Sequence, residues 1–212
     1  MHISDGILSG PVLIIGFAAA IPIAAYTLKQ VDLEDIPKIS VVTAAFFVAS
    51  LIHIPIGPSS IHLILNGLIG LILGVRAFPA ILLGLVLQAI LFGHGGVSVI
   101  GVNALMLGGG AICAHLVWQQ RHRINLPNRD IIFAALGGAV GIISSGFILA
   151  LALVTTGEAF WGMAWVIFAY HIPLMLIEGA VAAACIGFIL RVKPSILNGP
   201  TAHKKEQPNS AD

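Results

Sequence analysis

The chain has 212 residues, of which 58% are hydrophobic and only 9% charged, and its mean hydropathy is +1.03. Soluble domains contain about 45–50% apolar and about 25% charged residues, so this composition excludes an ordinary soluble domain and indicates an integral membrane protein built of helices. The formal net charge of +1, without a basic face interleaved with aromatic residues, excludes a nucleic-acid-binding protein.

Seven apolar segments can be marked along the chain. Because a helix needs about 20 residues to cross the hydrocarbon layer, the third and fourth segments are short and the seventh is long. The pattern predicts an all-α membrane protein with about seven transmembrane helices, six at the fewest. The segments are 11–28, 39–54, 61–75, 78–92, 97–118, 131–155 and 161–190.

The basic residues indicate the orientation of these helices. With the amino terminus outside, all 10 Lys and Arg residues fall in inner loops or after the last helix. Cytoplasmic loops of membrane proteins are enriched in these residues, so we expect the amino terminus outside and the carboxyl terminus in the cytoplasm. The first positive charge of the chain, Lys29, follows the first apolar run, whereas a secretory signal has positive charge before its apolar run. We therefore expect a retained helix.

Domain organisation is simple in this interpretation. Residues 1–197 form one multi-span membrane domain. Residues 198–212, "NGPTAHKKEQPNSAD", are polar and rich in turn formers, and we expect a disordered cytoplasmic tail.

Histidines gather on the side predicted to face outward. Of the 8 histidines, His2, His53, His62, His94 and His171 map to or near that face. A single histidine near a membrane surface is commonly interfacial or hydrogen-bonded, but several on one face favour a metal site.

The amino terminus, "MHISDG", is the most distinctive metal-binding pattern. Because His2 is bulky, we expect Met1 to be retained with a free amine. That amine and the amide nitrogen of His2 close a five-membered chelate ring, and the amide and Nδ1 of His2 close a six-membered ring. Three nitrogens then lie in one plane, and a fourth completes a square, an arrangement that suits Ni(II) or Cu(II).

The fourth nitrogen is expected from an outer loop. His62 is the first choice, since it follows a "GPSS" turn in which Ser59 or Ser60 would cap the third helix. His94, between glycines, is the alternative. Polar residues that could orient an imidazole or accept the amine protons are Asp5, Ser60, Gln88 and Asn103.

Two other functional classes are compatible with polar residues inside the apolar segments. Ser144 or Ser145 with His171 could form the dyad of an intramembrane serine protease. Alternatively, Glu178 and His171 could line a proton or small-solute channel. Glu178 could be protonated, pair with a polar side chain such as Asn66 or Gln88, or contact a partner protein.

Four blocks of sequence resemble one known family. They are "MHISDGILS" at the start, "GPSSIHLILNGLIGLILG" at 57–74, "LQAILFGHGGVSVIGVNAL" at 87–105 and "HIPLMLIEG" at 171–179. In the same order they are similar to the CbiM/NikM family, the cobalt- and nickel-binding substrate-specificity components of prokaryotic energy-coupling-factor transporters. The resemblance implies that Met1, His2 and His62 hold the metal ion. Many members carry Asp where His94 stands, which places His94 beside the ligands rather than among them.

The resemblance also implies partners and a location. Members work in the cell membrane with a transmembrane coupling protein, cytoplasmic ATPase subunits and often a small accessory membrane protein. This chain lacks a GxxxxGK[ST] motif, so we expect a transporter subunit without ATPase activity of its own, not an enzyme. We expect no cofactor, and Ni²⁺ or Co²⁺ as the transported ion, with planar nitrogen coordination slightly favouring nickel.

Overall fold

A computed structural model describes residues 3–51, 54–56, 59–61 and 63–197. Seven α-helices form a bundle in this part of the chain, and short 3₁₀ turns extend several of their ends. The helices are α1 (Gly10–Leu28), α2 (Ile36–Leu51), α3 (Asn66–Leu73), α4 (Ala77–Phe92), α5 (Ile100–Gln119), α6 (Arg129–Thr156) and α7 (Trp161–Val192).

The predicted all-α membrane class is confirmed. Within the described residues, five helical stretches are long and apolar enough to cross a membrane, and one of them, Asn66–Phe92, contains both α3 and α4. Helix α2 has 16 residues and is shorter than a full span. Except for the third, each predicted apolar segment corresponds to one helix, with ends that differ by a few residues.

The third segment differs from its prediction. A helix over 61–75 is wrong, because two short antiparallel strands, β1 (Ile54–Ile56) and β2 (Ser59–Ile61), precede the helix, with Ile54 opposite Ile61. Helix α3 begins only at Asn66, after Leu65 with its φ of 58°. This left-handed conformation stops the helix from continuing backwards. The predicted capping of the third helix by Ser59 or Ser60 is therefore also wrong.

Helix α3 lies at the centre of the bundle, between α5 and α6. Its glycines permit this position: a Cβ atom added at Gly67 would lie 2.7 Å from the Cα atom of Gly138 in α6, and one added at Gly70 would collide with the carbonyl group of Ala111 in α5. Backbones that approach this closely are typical of helices packed through small residues in membranes.

Cationic side chains gather at one end of the bundle. Arg76 pairs with Asp35 at 3.2 Å, and Arg121 pairs with Asp130 at 3.2 Å. Lys38 Nζ donates to the carbonyl oxygen of Ile196 at 2.5 Å, so the end of α7 meets the start of α2 here. These three cations line one cavity of about 720 Å³. Their shared position agrees with the predicted cytoplasmic end, since cytoplasmic loops concentrate positive charge.

Candidate metal-capture site

The three predicted metal ligands, Met1, His2 and His62, lie outside the described residues, so their roles stay predictions. Within the described part of the chain, no group of three or more His, Cys, Asp or Glu side chains is placed to hold a metal ion. The structure does describe the chain next to these residues: Ile3 on one side, and strand β2 and Leu63–Leu65 on the other.

Ile3 is held by the side chain of Asn103, in the first turn of α5. The backbone N–H of Ile3 donates to Asn103 Oδ1 at 3.0 Å, and Asn103 Nδ2 donates to the carbonyl oxygen of Ile3 at 3.1 Å. Both residues are buried. One amide side chain thus satisfies both polar groups of a non-helical residue, as a neighbouring strand would. The residue that follows His2 is fixed in place.

The rest of the amino-terminal segment lies across the loop between α4 and α5 and the end of α6. The N–H of Asp5 donates to the carbonyl oxygen of Gly95 at 2.7 Å, and Ser98 Oγ donates to the Asp5 carboxylate. Leu8 is buried in the main hydrophobic cluster. The N–H of Ser9 donates to Thr156 Oγ1 at 3.4 Å. The segment is therefore attached to the bundle along its length.

His94 lies in the loop that receives this segment. Its N–H donates to the carbonyl oxygen of Gln88 at 3.2 Å, which closes the end of α4, and its ring lies 6.2 Å from the ring of Phe92. Gly93 and Gly95 on either side both have positive φ, at 64° and 77°. Such backbone conformations favour glycine, and they explain why this histidine stands between two glycines.

The chain between β2 and α3 is held from α7. The carboxylate of Glu178 accepts hydrogen bonds from the N–H of Ile64 and from that of Leu65, the latter at 3.0 and 3.1 Å from its two oxygens. Glu178 is buried. These amides precede the first turn of α3, where N–H groups have no partner within the helix. Of the alternatives for Glu178, pairing with Asn66 or Gln88 is wrong, because the described partners of its carboxylate are backbone amides.

Asn66 and Ser145 form a separate buried network. Asn66 Nδ2 donates to Ser145 Oγ at 2.8 Å and lies 3.2 Å from the carbonyl oxygen of Leu107. Ser145 Oγ has the carbonyl oxygens of Met106 and Gly141 at 2.8 and 2.9 Å. The network joins the start of α3 to α5 and α6.

This network bears on the serine protease alternative. The single hydroxyl proton of Ser145 is directed at backbone carbonyls, and His171 Nδ1 lies 2.8 Å from the carbonyl oxygen of Ile167. A nucleophilic serine instead donates its proton to the base of the dyad. Among the described contacts, Ser145 and His171 each have the hydrogen bond typical of a polar residue in a membrane helix.

The remaining polar candidates lie in different places. Gln88 Nε2 donates to Ser50 Oγ at 2.6 Å, between α4 and α2, and within the described chain Gln88 Oε1 has no hydrogen-bond partner. The backbone of Ser60 lies in β2, opposite Pro55. Of the residues predicted to support the site, Asn103 contacts the amino-terminal segment, and Asp5 belongs to that segment and binds the loop between α4 and α5. The sequence did not predict the hydrogen bond from Ser98 to Asp5, since a single serine near loop glycines resembles any loop residue.

A family model described as the cobalt uptake substrate-specific transmembrane region, CbiM, matches residues 2–196. The chain belongs to the CbiM family. The match covers nearly the whole chain, including the amino-terminal segment held by Asn103 and the half-length helix α3.

CbiM relatives carry both metals in their names. A metal transport protein of Haemophilus influenzae is 34% identical over 200 residues, covering 93% of this chain and 97% of the relative. The cobalt transport protein CbiM 2 of Methanosarcina barkeri is 32% identical, with 93% and 92% covered. The fused nickel transport protein NikMN of Rhodobacter capsulatus is 31% identical over 71% of this chain and 46% of its own length.

The fold is shared with a solved structure of a truncated transition metal transporter, with a TM-score of 0.80 and 23% identity over 90% of this chain and 99% of the other. This CbiM chain is thus a multi-pass membrane component of cobalt or nickel transport. Its relatives are transport proteins, which fits the prediction of a transporter component rather than an enzyme.

Proposed function

We propose that this CbiM chain is the substrate-specificity component of an energy-coupling-factor transporter and captures Ni²⁺ or Co²⁺ on the outer side of the cell membrane. The Met1 amine, the amide nitrogen and Nδ1 of His2, and an imidazole nitrogen of His62 are the proposed ligands. The observation that carries the proposal is the pair of hydrogen bonds between Asn103 and Ile3, the residue next to His2.

The two stretches of chain next to the proposed ligands are anchored close to one another. Ile3 is bound by Asn103, while Asn66, at the start of α3, is bound to the carbonyl group of Leu107. Asn103 and Leu107 are four residues apart in α5, a separation of about 6 Å along the helix axis. His62 is two residues from Ile64, within about 8 Å along the chain. This convergence supports one site built from both stretches.

The chemistry of the donor set fits a late first-row metal. Nitrogen donors in one plane suit Ni²⁺ and are poorly matched to Mg²⁺ or Ca²⁺, which prefer oxygen. Loss of the His2 amide proton would remove one unit of charge from the bound complex, which lowers the cost of holding it near hydrocarbon. The relatives include both cobalt and nickel transport proteins. Planar geometry slightly favours nickel.

Transport requires partners in this proposal. The sequence lacks a GxxxxGK[ST] motif, so ATP hydrolysis would come from cytoplasmic ATPase subunits and reach this chain through a transmembrane coupling protein. A small accessory membrane protein is a further proposed partner. ATP hydrolysis by this assembly would drive release of the ion to the cytoplasm.

The test of the capture site is calorimetric titration of the purified chain with NiCl₂ and CoCl₂. A variant with several uncleaved residues before Met1, and the variant His62→Ala, should each lose high-affinity binding, because the first moves the terminal amine away from His2 and the second removes the imidazole donor. His94→Ala serves as the matched histidine control and should bind more tightly than His62→Ala. Native mass spectrometry of the wild-type complex would report the bound metal, the intact Met1 and the lost amide proton.

Wild-type affinity in the extended chain would contradict the proposal, since its amine no longer belongs to Met1. If His94→Ala loses binding and His62→Ala retains it, the fourth donor is His94 instead.

A further inference from the structure

Glu178 combines three features that the capture site does not yet explain. It is a carboxylate in the middle of α7, its side chain is about 1% exposed, and its partners are backbone amides of another part of the chain. No described Lys, Arg or His side chain forms an ion pair with it. Ionisable groups in membrane segments are costly and are generally retained for function.

The amides that Glu178 binds belong to a stretch of chain that is not part of a helix. Ile64 and Leu65 precede α3, and the left-handed backbone of Leu65 prevents the helix from starting before Asn66. In a membrane interior, such N–H groups must find a partner inside the protein. The first residues of α3, Asn66 and Gly67, are buried, so this 8-residue helix begins inside the bundle. The carboxylate of Glu178 lies at the amino-terminal end of α3, which is the positive end of the helix dipole.

We propose that Glu178 is a positioning residue for metal capture. By holding Ile64 and Leu65, it fixes the segment that presents His62, and its negative charge offsets the positive charge of the bound metal complex. The inference rests on the proposed function, because it requires His62 to be a ligand. It adds a residue of α7, far along the sequence from every proposed ligand, to the determinants of affinity.

A carboxylate that only caps α3 would behave differently. Its loss would lower the stability of the metal-free protein and leave the metal affinity of the folded molecules unchanged. A positioning residue changes the affinity and the geometry of the complex in folded protein. Glu178→Gln separates these roles, since the amide keeps one oxygen as an acceptor for both N–H groups and removes the charge.

The experiment compares Glu178→Gln and Glu178→Asp with wild type in detergent, by calorimetric titration with NiCl₂, visible absorption of the nickel complex and thermal unfolding without metal. We expect the dissociation constant of Glu178→Gln to rise by about 10–100-fold, as for other residues that orient metal ligands. We also expect a shifted nickel absorption band, because a neutral amide oxygen binds the N–H groups of Ile64 and Leu65 less strongly than the carboxylate does, and the segment next to His62 is held less firmly. Glu178→Asp, which keeps the charge on a shorter arm, should be weakened less.

Two controls match the change. Leu174→Ala removes a buried side chain one turn earlier in α7, and Glu158→Gln removes a carboxylate from an exposed residue before α7. Both should bind nickel as wild type does, with an unchanged absorption band. The proposal is overturned if Glu178→Gln matches wild type in affinity and band, if its affinity loss equals that of Leu174→Ala, or if neither Glu178 variant folds without metal.

Failure of this inference is distinguishable from failure of the capture site. If the amino-terminally extended chain and His62→Ala bind nickel normally, the capture site itself is wrong. If those two lose binding while Glu178→Gln retains it, only the role of Glu178 is wrong.

Discussion

Asn103 shows how single side chains replace secondary structure in this protein. The segment before α1 is not helical, yet both polar groups of Ile3 are satisfied by the amide of Asn103, although Ile3 is only 4% exposed. Unpaired backbone groups in an apolar environment cost about 1–3 kcal/mol each in protein mutational data. A polar residue inside a membrane helix thus makes possible an irregular segment at the end of the bundle.

Replacing Asn103 with Ala should therefore weaken metal binding. The variant leaves the N–H and carbonyl groups of Ile3 without their partner, so the residue next to His2 is no longer fixed. If the affinity loss equals the cost of one such unpaired group, about 1–3 kcal/mol, the dissociation constant for Ni²⁺ rises by about 5–150-fold. Calorimetric titration measures it directly.

Ser98→Ala is the matched control for this prediction. It removes one hydrogen bond to Asp5 in the same segment, but the contact is exposed to solvent. Because water replaces an exposed partner, its effect should be much smaller. Equal affinities of Asn103→Ala and wild type would show that the amino-terminal segment holds its place without Asn103.

The sequence indicates which polar residues matter more readily than what they bind. Asn103 and Asp5 were predicted near the site, and the first binds the amino-terminal segment while the second attaches that segment to Ser98. Glu178 was singled out as an ionisable residue in a membrane helix, but the backbone amides that it binds were not among the alternatives considered for it. Side-chain chemistry is visible in a sequence, whereas the backbone amides that an irregular segment leaves unpaired appear only once the fold is known.

At the scale of elements, apolar runs predict helices well because most of these helices cover a lipid-facing or buried surface along their whole length. The third segment is the exception. Residues 61–75 are as apolar as a helix, yet β2 ends at Ile61 and α3 begins at Asn66. Hydropathy does not distinguish an apolar strand and turn from an apolar helix, because the same side chains occur in both. The position of α3 is decided by its glycines.

Gly67→Ala should destabilise the bundle. The added methyl group would meet the Cα atom of Gly138 at 2.7 Å, and backbone cannot yield as a flexible side chain does. Overpacking of this kind costs about 1–3 kcal/mol, which thermal unfolding in detergent would show as a lowered midpoint temperature.

Gly162→Ala provides the control, because a Cβ atom there has nothing within 4 Å. In a helix, alanine is favoured over glycine by up to about 1 kcal/mol, so this variant should be as stable as wild type or slightly more stable. An unchanged midpoint for Gly67→Ala would mean that α3 moves away from α6 without cost.

At the scale of the whole molecule, many large apolar side chains are exposed, whereas several polar side chains are buried in the bundle. Large apolar side chains such as Ile14, Ile15 and Phe147 are 63–70% exposed, as expected of a surface in contact with lipid. Polar side chains that are buried include Asn66, Gln88, Asn103, Ser145, His171 and Glu178. The bundle therefore has a mainly apolar core that contains a few hydrogen-bonded polar side chains, and its sides expose apolar side chains to lipid. It also has two distinct ends.

These two ends lead to a prediction about orientation. The loop between α4 and α5 lies at the end that holds the amino-terminal segment, and the loop between α5 and α6 lies at the cationic end with Arg121.

A single cysteine in each loop tests this orientation. Val97, 64% exposed, and Leu126, 44% exposed, can be replaced by cysteine without changing the charge of either loop. In a chain whose native cysteines, Cys113 and Cys185, are replaced by Ala, Val97→Cys should react with a membrane-impermeant maleimide on intact cells. Leu126→Cys should react only after the membrane is permeabilised, because positive charge is retained on the cytoplasmic side. The reverse labelling pattern would place the amino-terminal segment in the cytoplasm, and a capture site built on Ile3 and Asn103 would then face the wrong side for uptake.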